Sequence, residues 1–162
     1  MKLVVILNVN PDENVKTKIS KNREYTRREL KGILSDGFSG FINDIIFYDN
    51  FNQFKENVSN HLEDFVLNFD FGYDSRTRNM KVPSFCDNYN IKYFNPDPYV
   101  QVLCQDKFIT KKFAENFGIK TPQSLLVFSH SYNKELLKNF NYPVIIKPNY
   151  ESESIGIPQN SI

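Results

Sequence analysis

The sequence predicts an α/β fold, an open and mostly parallel sheet with helices on both faces, followed by a second, α+β segment. Three observations carry this. Leu3–Leu7 is a continuous apolar run bounded by polar turn residues, the pattern of a buried strand of a parallel sheet, and Phe65-Val-Leu-Asn-Phe69 reads as a further strand. Segments with helical spacing alternate with such runs, giving β-α-β-α-β-α-β over the first 95 residues. Asn95-Pro-Asp-Pro98 then interrupts the pattern and marks a domain boundary. Residues 1–95 are thus expected to form one α/β domain, with residues 96–162 beyond its boundary.

In chain order, Leu3–Leu7 is the first strand, and Asn8 to Asp12 form a loop containing Pro11. A helix is expected from about Val15 to Leu34. Ile19, Leu30, Ile33 and Leu34 supply its apolar side, Lys16 to Arg28 is rich in solvated charge, and Gly37 stops it. Phe41–Tyr48 reads as the second strand despite Asn43-Asp44 in its middle. Phe51, Phe54, Val58 and Leu62 recur at helical spacing, so 51–62 is a short amphipathic helix. Phe65–Phe69 is the third strand, and a polar loop follows from Asp70. Arg78 to Tyr89 suits a helix with Pro83 in its first turn, and Ile91–Phe94 is a brief fourth strand.

Beyond the boundary, Tyr99–Cys104 and Asp106–Phe117 are expected helices. In the second, Ile109, Phe113 and Phe117 bury one face while Lys107 and Lys111 lie on another, and Gly118 ends it with a left-handed cap. Ser124–Phe128 reads as a strand and Asn133–Phe140 as a helix. Val144, Ile145 and Ile146 form a β-branched strand that ends where Lys147 interrupts the run and Pro148 cannot donate to a ladder. The polar stretch after it holds Ser152, Ser154 and Gly156. A strand delivering a lysine to a loop of hydroxyls and a glycine suits phosphate; the same pattern also describes an ordinary surface loop.

The chain has 162 residues, 40% hydrophobic, with 15 Phe, 9 Tyr and no Trp. That suits one generous domain or two small ones with an aromatic core. A net charge of +1 with interspersed signs gives no nucleic-acid footprint and no membrane-binding face. The apolar run at the N-terminus is too short for a signal peptide, and no stretch reaches transmembrane length. These features predict a soluble, cytoplasmic protein. Cys86 and Cys104 are too few and too isolated for a disulfide framework or a zinc site, so both are expected to be buried free thiols. His61 and His130 stand alone in the sequence and receive no role. Arg76 and Arg78 fit either an anion contact or the surface charge of a helix start.

Taken together, Asp106-Lys107-Phe-Ile-Thr-Lys111, Phe117-Gly118-Ile-Lys-Thr121-Pro122 and Tyr142-Pro143-Val-Ile-Ile-Lys147-Pro148 form an ordered set. This set resembles the ATP-grasp superfamily, and within it the N-terminal part of the D-alanine–D-alanine ligases and their relatives. Asn68 to Gly72, Arg78 to Pro83, Ile91 to Tyr93 and Asp97-Pro98 extend the similarity, which runs from about residue 65 onward. The resemblance implies a Rossmann-like, substrate-side domain at 1–95 and a partial nucleotide-binding central lobe at 96–162. It implies that Lys107 and Lys147 contact ATP phosphates and that Ile145 lies on the adenine side. Glu151, Ser154 and Gly156 match the phosphate-covering loop written Glu-Gly-Ser-Ser-x-Gly in that family.

The function implied is ATP-dependent joining of a carboxylate and an amine, an amino acid or peptide, through an acylphosphate. The departures are also legible: Ser152 and Glu153 replace the loop's Gly and first Ser, and Asn8–Glu13 replace the glycine-rich segment after the first strand. The catalytic residues are not identifiable. Magnesium ligands and the adenine hinge follow later in that family, so the expectation is a shortened product or one half of a split enzyme, inactive alone. The alternative is a non-catalytic α/β module that binds a partner chain, a missing C-terminal half or a second copy.

Overall fold

The computed structural model describes residues 1–7, 25–71, 75–128, 134–151 and 156–157. The expectations placed on Asn8–Glu13, on the first half of the long N-terminal helix, on His130 and on Ser152, Glu153 and Ser154 lie outside the described residues. The chain divides into two compact units, Met1–Val102 and Leu103–Ile162.

The first unit is built on four parallel strands, β1 (Leu3–Leu7), β2 (Ile45–Tyr48), β3 (Phe65–Phe69) and β4 (Lys92–Tyr93). Their order is β2-β1-β3-β4, which places β1 and β3 at the centre, with Leu3 beside Ile45 and Phe65. Helix α1 (Arg27–Phe38) covers one face: Leu30, Leu34 and Phe38 pack on Leu3, Val5 and Leu7. Helices α2 (Phe51–Glu56) and α3 (Lys81–Asn88) cover the other, where Phe54, Val82 and Cys86 meet Val4, Ile6 and Val66. Alternate residues of β1 therefore enter different cores, and all five are buried, which is why the run is apolar without alternation.

Several boundaries moved for local reasons. Helix α1 begins at Thr26, whose hydroxyl accepts from the Glu29 N–H at 3.2 Å while the Glu29 carboxylate accepts from the Thr26 N–H at 2.7 Å. This reciprocal cap is a strong start signal. Gly37 lies inside the helix; the left-handed turn falls to Gly40, at φ 93°. Strand β2 starts at Ile45, because Asn43-Asp44 is a poor strand former. Phe41, expected in the strand, is exposed. The helix expected over 51–62 ends at Glu56 and continues as a 3-10 turn, Val58–Asn60. Pro83 sits in the first turn of α3 after a 3-10 turn, Arg78–Met80, and Arg78 is buried, not part of the helix surface.

His61, alone in the sequence, has partners in the fold. Its Nδ1 lies 2.9 Å from Asp64 Oδ2 and its Nε2 2.7 Å from the Tyr48 hydroxyl, while the Lys2 N–H donates to Asp64 Oδ1 at 2.6 Å. Burial opposes the charge on Asp64, but the hydrogen bonds from His61 and Lys2 prevail and hold the carboxyl below its usual range. Cys86 is buried as expected; burial, with Asp87 nearby, pushes its thiol up to about 12. Cys104 is exposed, against expectation, since helix α4 (Pro98–Gln105) is only partly covered along its apolar length.

In the second unit the best-formed element is helix α5 (Lys107–Asn116). It ends in a Schellman motif: the Gly118 N–H donates to Glu115 O at 3.0 Å, the Ile119 N–H donates to Ala114 O at 3.1 Å, and Gly118 takes φ 75°. The strands expected at Ser124–Phe128 and Val144–Ile146 do not form, and the helix expected over 133–140 is a 3-10 helix, Lys134–Asn139. β-branched residues favour a pleated chain, but a strand is held by its ladder, and neither segment has a strand partner among the described residues. Among the described residues no helix is long and apolar enough to cross a membrane.

Candidate functional site

Three of the expected site residues of the second unit, Lys107, Glu151 and Gly156, gather where α5 begins. Asp106 is the N-cap, and its Oδ1 accepts from the Ile109 N–H at 3.0 Å and from the Asn149 side-chain amide at 2.7 Å. Burial opposes ionisation of Asp106, yet the donors converging on it, Ile109, Asn149, Phe108 and Tyr150, hold its carboxyl below the usual range. The Asn149 side chain works in both directions, since its Oδ1 accepts from the Phe108 N–H at 2.9 Å. The Lys107 N–H donates to the Asn149 carbonyl at 3.3 Å. Three N–H groups that a helix start leaves open, those of residues 107, 108 and 109, are thereby all occupied from within the chain.

Lys107 points into the same loop. Its ammonium donates to the carbonyl oxygens of Pro148 at 3.0 Å and Asn149 at 3.2 Å, and also to that of Glu151. The Gln105 side-chain amide donates to the Tyr150 carbonyl. Four successive backbone carbonyls, 148–151, are thus held by two side chains flanking the helix cap. Gly156 closes on this loop from the other side. It takes φ 76°, and a Cβ there would lie 2.7 Å from Pro148 Cγ, so the turn tolerates only glycine without displacement.

Of the expected residues, the structure brings Lys107, Glu151 and Gly156 together around Pro148. Lys147 and Ile145, next along the chain, are exposed, Ile145 at 52%. The Thr121-Pro122 turn is tied to α5 separately, through Lys111 Nζ to Pro122 O at 3.2 Å and Thr121 Oγ1 to Glu115 Oε1 at 2.6 Å. The Tyr142–Pro143 peptide is cis. Sequence reasoning missed Gln105 and Asn149. Asn149 lies more than 40 residues from its partners, and the only local hint was a hydrogen-bonding residue directly after Pro148.

In the first unit, the C-terminal end of the sheet carries amides and a carboxylate. Asn68, buried, accepts from the Asp70 N–H at 2.9 Å, and the Asn95 side chain accepts from the Asn68 N–H at 3.2 Å. Asp70 Oδ2 accepts from the Phe51 N–H at 2.8 Å, next to the cap of α2. Ligands of open parallel sheets bind at such ends. Of the two arginines considered for anion contact, Arg76 is exposed, whereas Arg78 is turned inward and donates Nη1 to Ser75 O at 3.2 Å. Among the described residues no group of three or more His, Cys, Asp or Glu side chains gathers as a metal site would require.

No family model matches the chain. It is 31% identical over 143 residues to the D-alanine–D-alanine ligase of Petrotoga mobilis, covering 85% of this chain and 43% of that protein. It is 34% identical over 93 residues to the enzyme of Helicobacter pylori, covering 57% of this chain and 26% of that protein, and 35% identical over 95 residues to that of Nitratiruptor. The fold matches the structure of Bacillus anthracis D-alanine–D-alanine ligase complexed with ATP at TM-score 0.63 and 18% identity, covering 99% of this chain and 51% of that one. The chain thus spans about half the length or less of the proteins it matches. The resemblance read from the motifs is borne out over part of the chain, and the α/β class with its parallel sheet is borne out by the fold.

Proposed function

We propose that this chain supplies the substrate-side α/β domain, residues 1–95, and part of the ATP site, residues 96–162, of an ATP-dependent carboxylate–amine ligase. The observation that supports this most is the assembly at the start of α5. The three motifs that resemble the ligases were separate in sequence, and two of them, Asp106-Lys107 and Lys147-Pro148 with its loop, lie against each other. The reading extends to the chemistry that the resemblance implies: an amino acid or peptide carboxylate accepts the terminal phosphoryl of ATP, and an amino group then displaces phosphate from the acylphosphate.

The residues fit a nucleotide's phosphates in part. Lys147 is an exposed cation beside the turn that Lys107 holds, and a positive charge at a moving phosphoryl group is what such a transfer needs. Gly156 admits close approach of backbone to ligand where a side chain would obstruct. Ile145 offers apolar surface on the adenine side, and Glu151 and Ser154 belong to the covering loop. Lys107 belongs to the same site through the loop it holds. Magnesium does not fit the residues described, among which no group of three or more His, Cys, Asp or Glu side chains gathers.

The test is a nuclear magnetic resonance titration of the 162-residue chain with ATP. The expected result is weak binding, with a Kd above about 0.1 mM, and shifts centred on residues 145–157 and the start of α5. Submicromolar affinity would contradict a partial site, and shifts confined elsewhere would contradict the location.

One observation favours a second reading, in which the chain is a non-catalytic module completed by a partner chain or a second copy. In the second unit Ile146, Phe117 and Phe128 are exposed at 77%, 71% and 67%. Sedimentation that stays monomeric at high concentration, combined with ATP shifts at Lys147, would favour the ligase reading over this one.

A further inference from the structure

We propose that Lys107 is a positioning residue: its ammonium, together with the Asn149 side chain, latches the Pro148–Glu151 turn onto the start of α5 and so sets the direction in which Lys147 is presented. The inference rests on the ligase reading and deepens it, because it divides the work of two lysines that the resemblance treats alike.

The chemistry follows from the donor and acceptor counts. A lysine ammonium has three donors and no acceptor. Three carbonyl oxygens of one turn, those of Pro148, Asn149 and Glu151, accept from Lys107. A charged donor to a carbonyl makes a stronger bond than a neutral one, and three such bonds within four successive residues tie the turn to the lysine.

The helix start beside it is closed as well. A helix N-terminus with an adjacent lysine is the usual place for a phosphate to sit, but here the N–H groups of Lys107, Phe108 and Ile109 are taken by Asn149 O, Asn149 Oδ1 and Asp106 Oδ1. A phosphate at that position would have to displace Asn149 and meet the ionised Asp106. Lys147, one residue before the latched turn, is exposed and has no hydrogen-bond partner among the described residues. The orientation of Asn149 is specified too. Only an amide can accept from Phe108 with one atom and donate to Asp106 with the other, and aspartate at 149 would set two carboxylates face to face.

The latch is tested first without nucleotide, on the whole chain. Hydrogen exchange at the Phe108 amide and chymotryptic cleavage after Tyr150 are compared in wild type, Lys107→Met, Lys107→Arg, Asn149→Ala and Lys147→Ala. Lys107→Met is expected to speed both by about tenfold or more, the scale of losing charge-assisted bonds. Lys107→Arg should restore most of the protection, and Lys147→Ala should leave both rates at the wild-type value.

Asn149→Ala, which keeps the lysine, should speed exchange at the Lys107 amide. Loss of protection across 103–151 while β1 and β3 stay protected is the same result at larger amplitude. Unchanged rates in Lys107→Met or in Asn149→Ala would overturn the latch.

The second arm adds ATP in the Lys147→Ala background. If Lys107 acts through Lys147, adding Lys107→Met weakens binding no further; a second, additive loss would show direct phosphate contact and overturn the proposal. Failure of wild type to bind ATP at all would count against the ligase reading, and the nucleotide-free arm would still decide the latch.

Discussion

The two units hold themselves together by different means. Met1–Val102 is a sheet with a dry core on each face, and β1 alone places five side chains in those cores. Among the described residues Leu103–Ile162 has one well-formed α-helix past Gln105, and its other ties are polar side-chain contacts: Lys107 and Gln105 to the carbonyls of the turn, Asn149 from the turn to the start of α5, and Lys111 and Glu115 to Pro122 O and Thr121 Oγ1. In the first unit a residue's neighbours follow from the period of the strand. In the second they follow from single polar contacts across dozens of residues. Hydrophobic periodicity therefore anticipates the first unit far better than the second.

The contrast makes predictions, and the largest concerns the cysteines. Cys86 in the first unit is buried with its thiol pushed up to about 12, whereas Cys104 in the second is exposed. Alkylation at neutral pH should modify Cys104 at least roughly a hundredfold faster. Comparable rates, read by mass spectrometry of the two peptides, would mean that the core beneath α3 opens readily.

Phe54 is fully buried between β1 and α3 and stacks edge-on to Tyr48 and Phe85. Phe54→Ala should cost about 3–5 kcal/mol in urea unfolding, enough to unfold a marginal domain. Phe117→Ala in the second unit, at an exposed position, should cost less than about 1 kcal/mol.

Asp64→Asn should cost about 1–3 kcal/mol at pH 7, because His61 and the Lys2 N–H would lose a charged acceptor. The sign with pH follows from the carboxyl being held low when folded. Its contribution is present above the unfolded carboxylate pKa and is lost as pH falls through the lower, folded value. Thermal melting between pH 7 and pH 3 should therefore fall less steeply in the variant; parallel curves would remove Asp64 as the cause.

The smallest effect is Gly118→Ala. The glycine has open space around it, so only the left-handed backbone opposes a side chain, at about 1 kcal/mol. Helix α5 should fray at its end, read as faster exchange of the Ile119 amide, without disturbing Asp106.

The legibility of the fold tracks the range of its contacts. β1 and β3 were readable to the residue: β1 is five consecutive apolar side chains between polar turns, and β3 is a Phe-Val-Leu-Asn-Phe run interrupted only by Asn68. Asn43-Asp44 warned that β2 began late, and Thr26 with Glu29 carried the start signal of α1. Gly37 misled, because a glycine ends a helix only where the backbone turns left-handed, and that happened at Gly40. Val144–Ile146 misled for a deeper reason: β propensity is local, while pairing depends on a partner strand that sequence spacing does not supply. The motifs at Asp106-Lys107 and Lys147-Pro148 were legible through their resemblance. Their contact through Asn149 was not, and neither was the Tyr48–His61–Asp64 cluster, whose members meet only once Tyr48 is carried to the end of β2.

One consequence of the strand order concerns the sheet's margins. Parallel sheets leave a row of unpaired N–H and C=O groups along each outer strand, and such rows recruit other chains. At one margin the sheet narrows to Lys92–Tyr93, two residues with a lysine on the rim, too short and too charged to template a further strand. The opposite margin, Ile45–Tyr48, is longer and more apolar, but Lys31 lies over the Phe47 ring and bonds Asp49 at its end. The first unit is therefore guarded against self-association at both rims, so aggregation during expression should begin from its partner unit, where Ile145 and Ile146 stand exposed in a segment with no strand partner among the described residues.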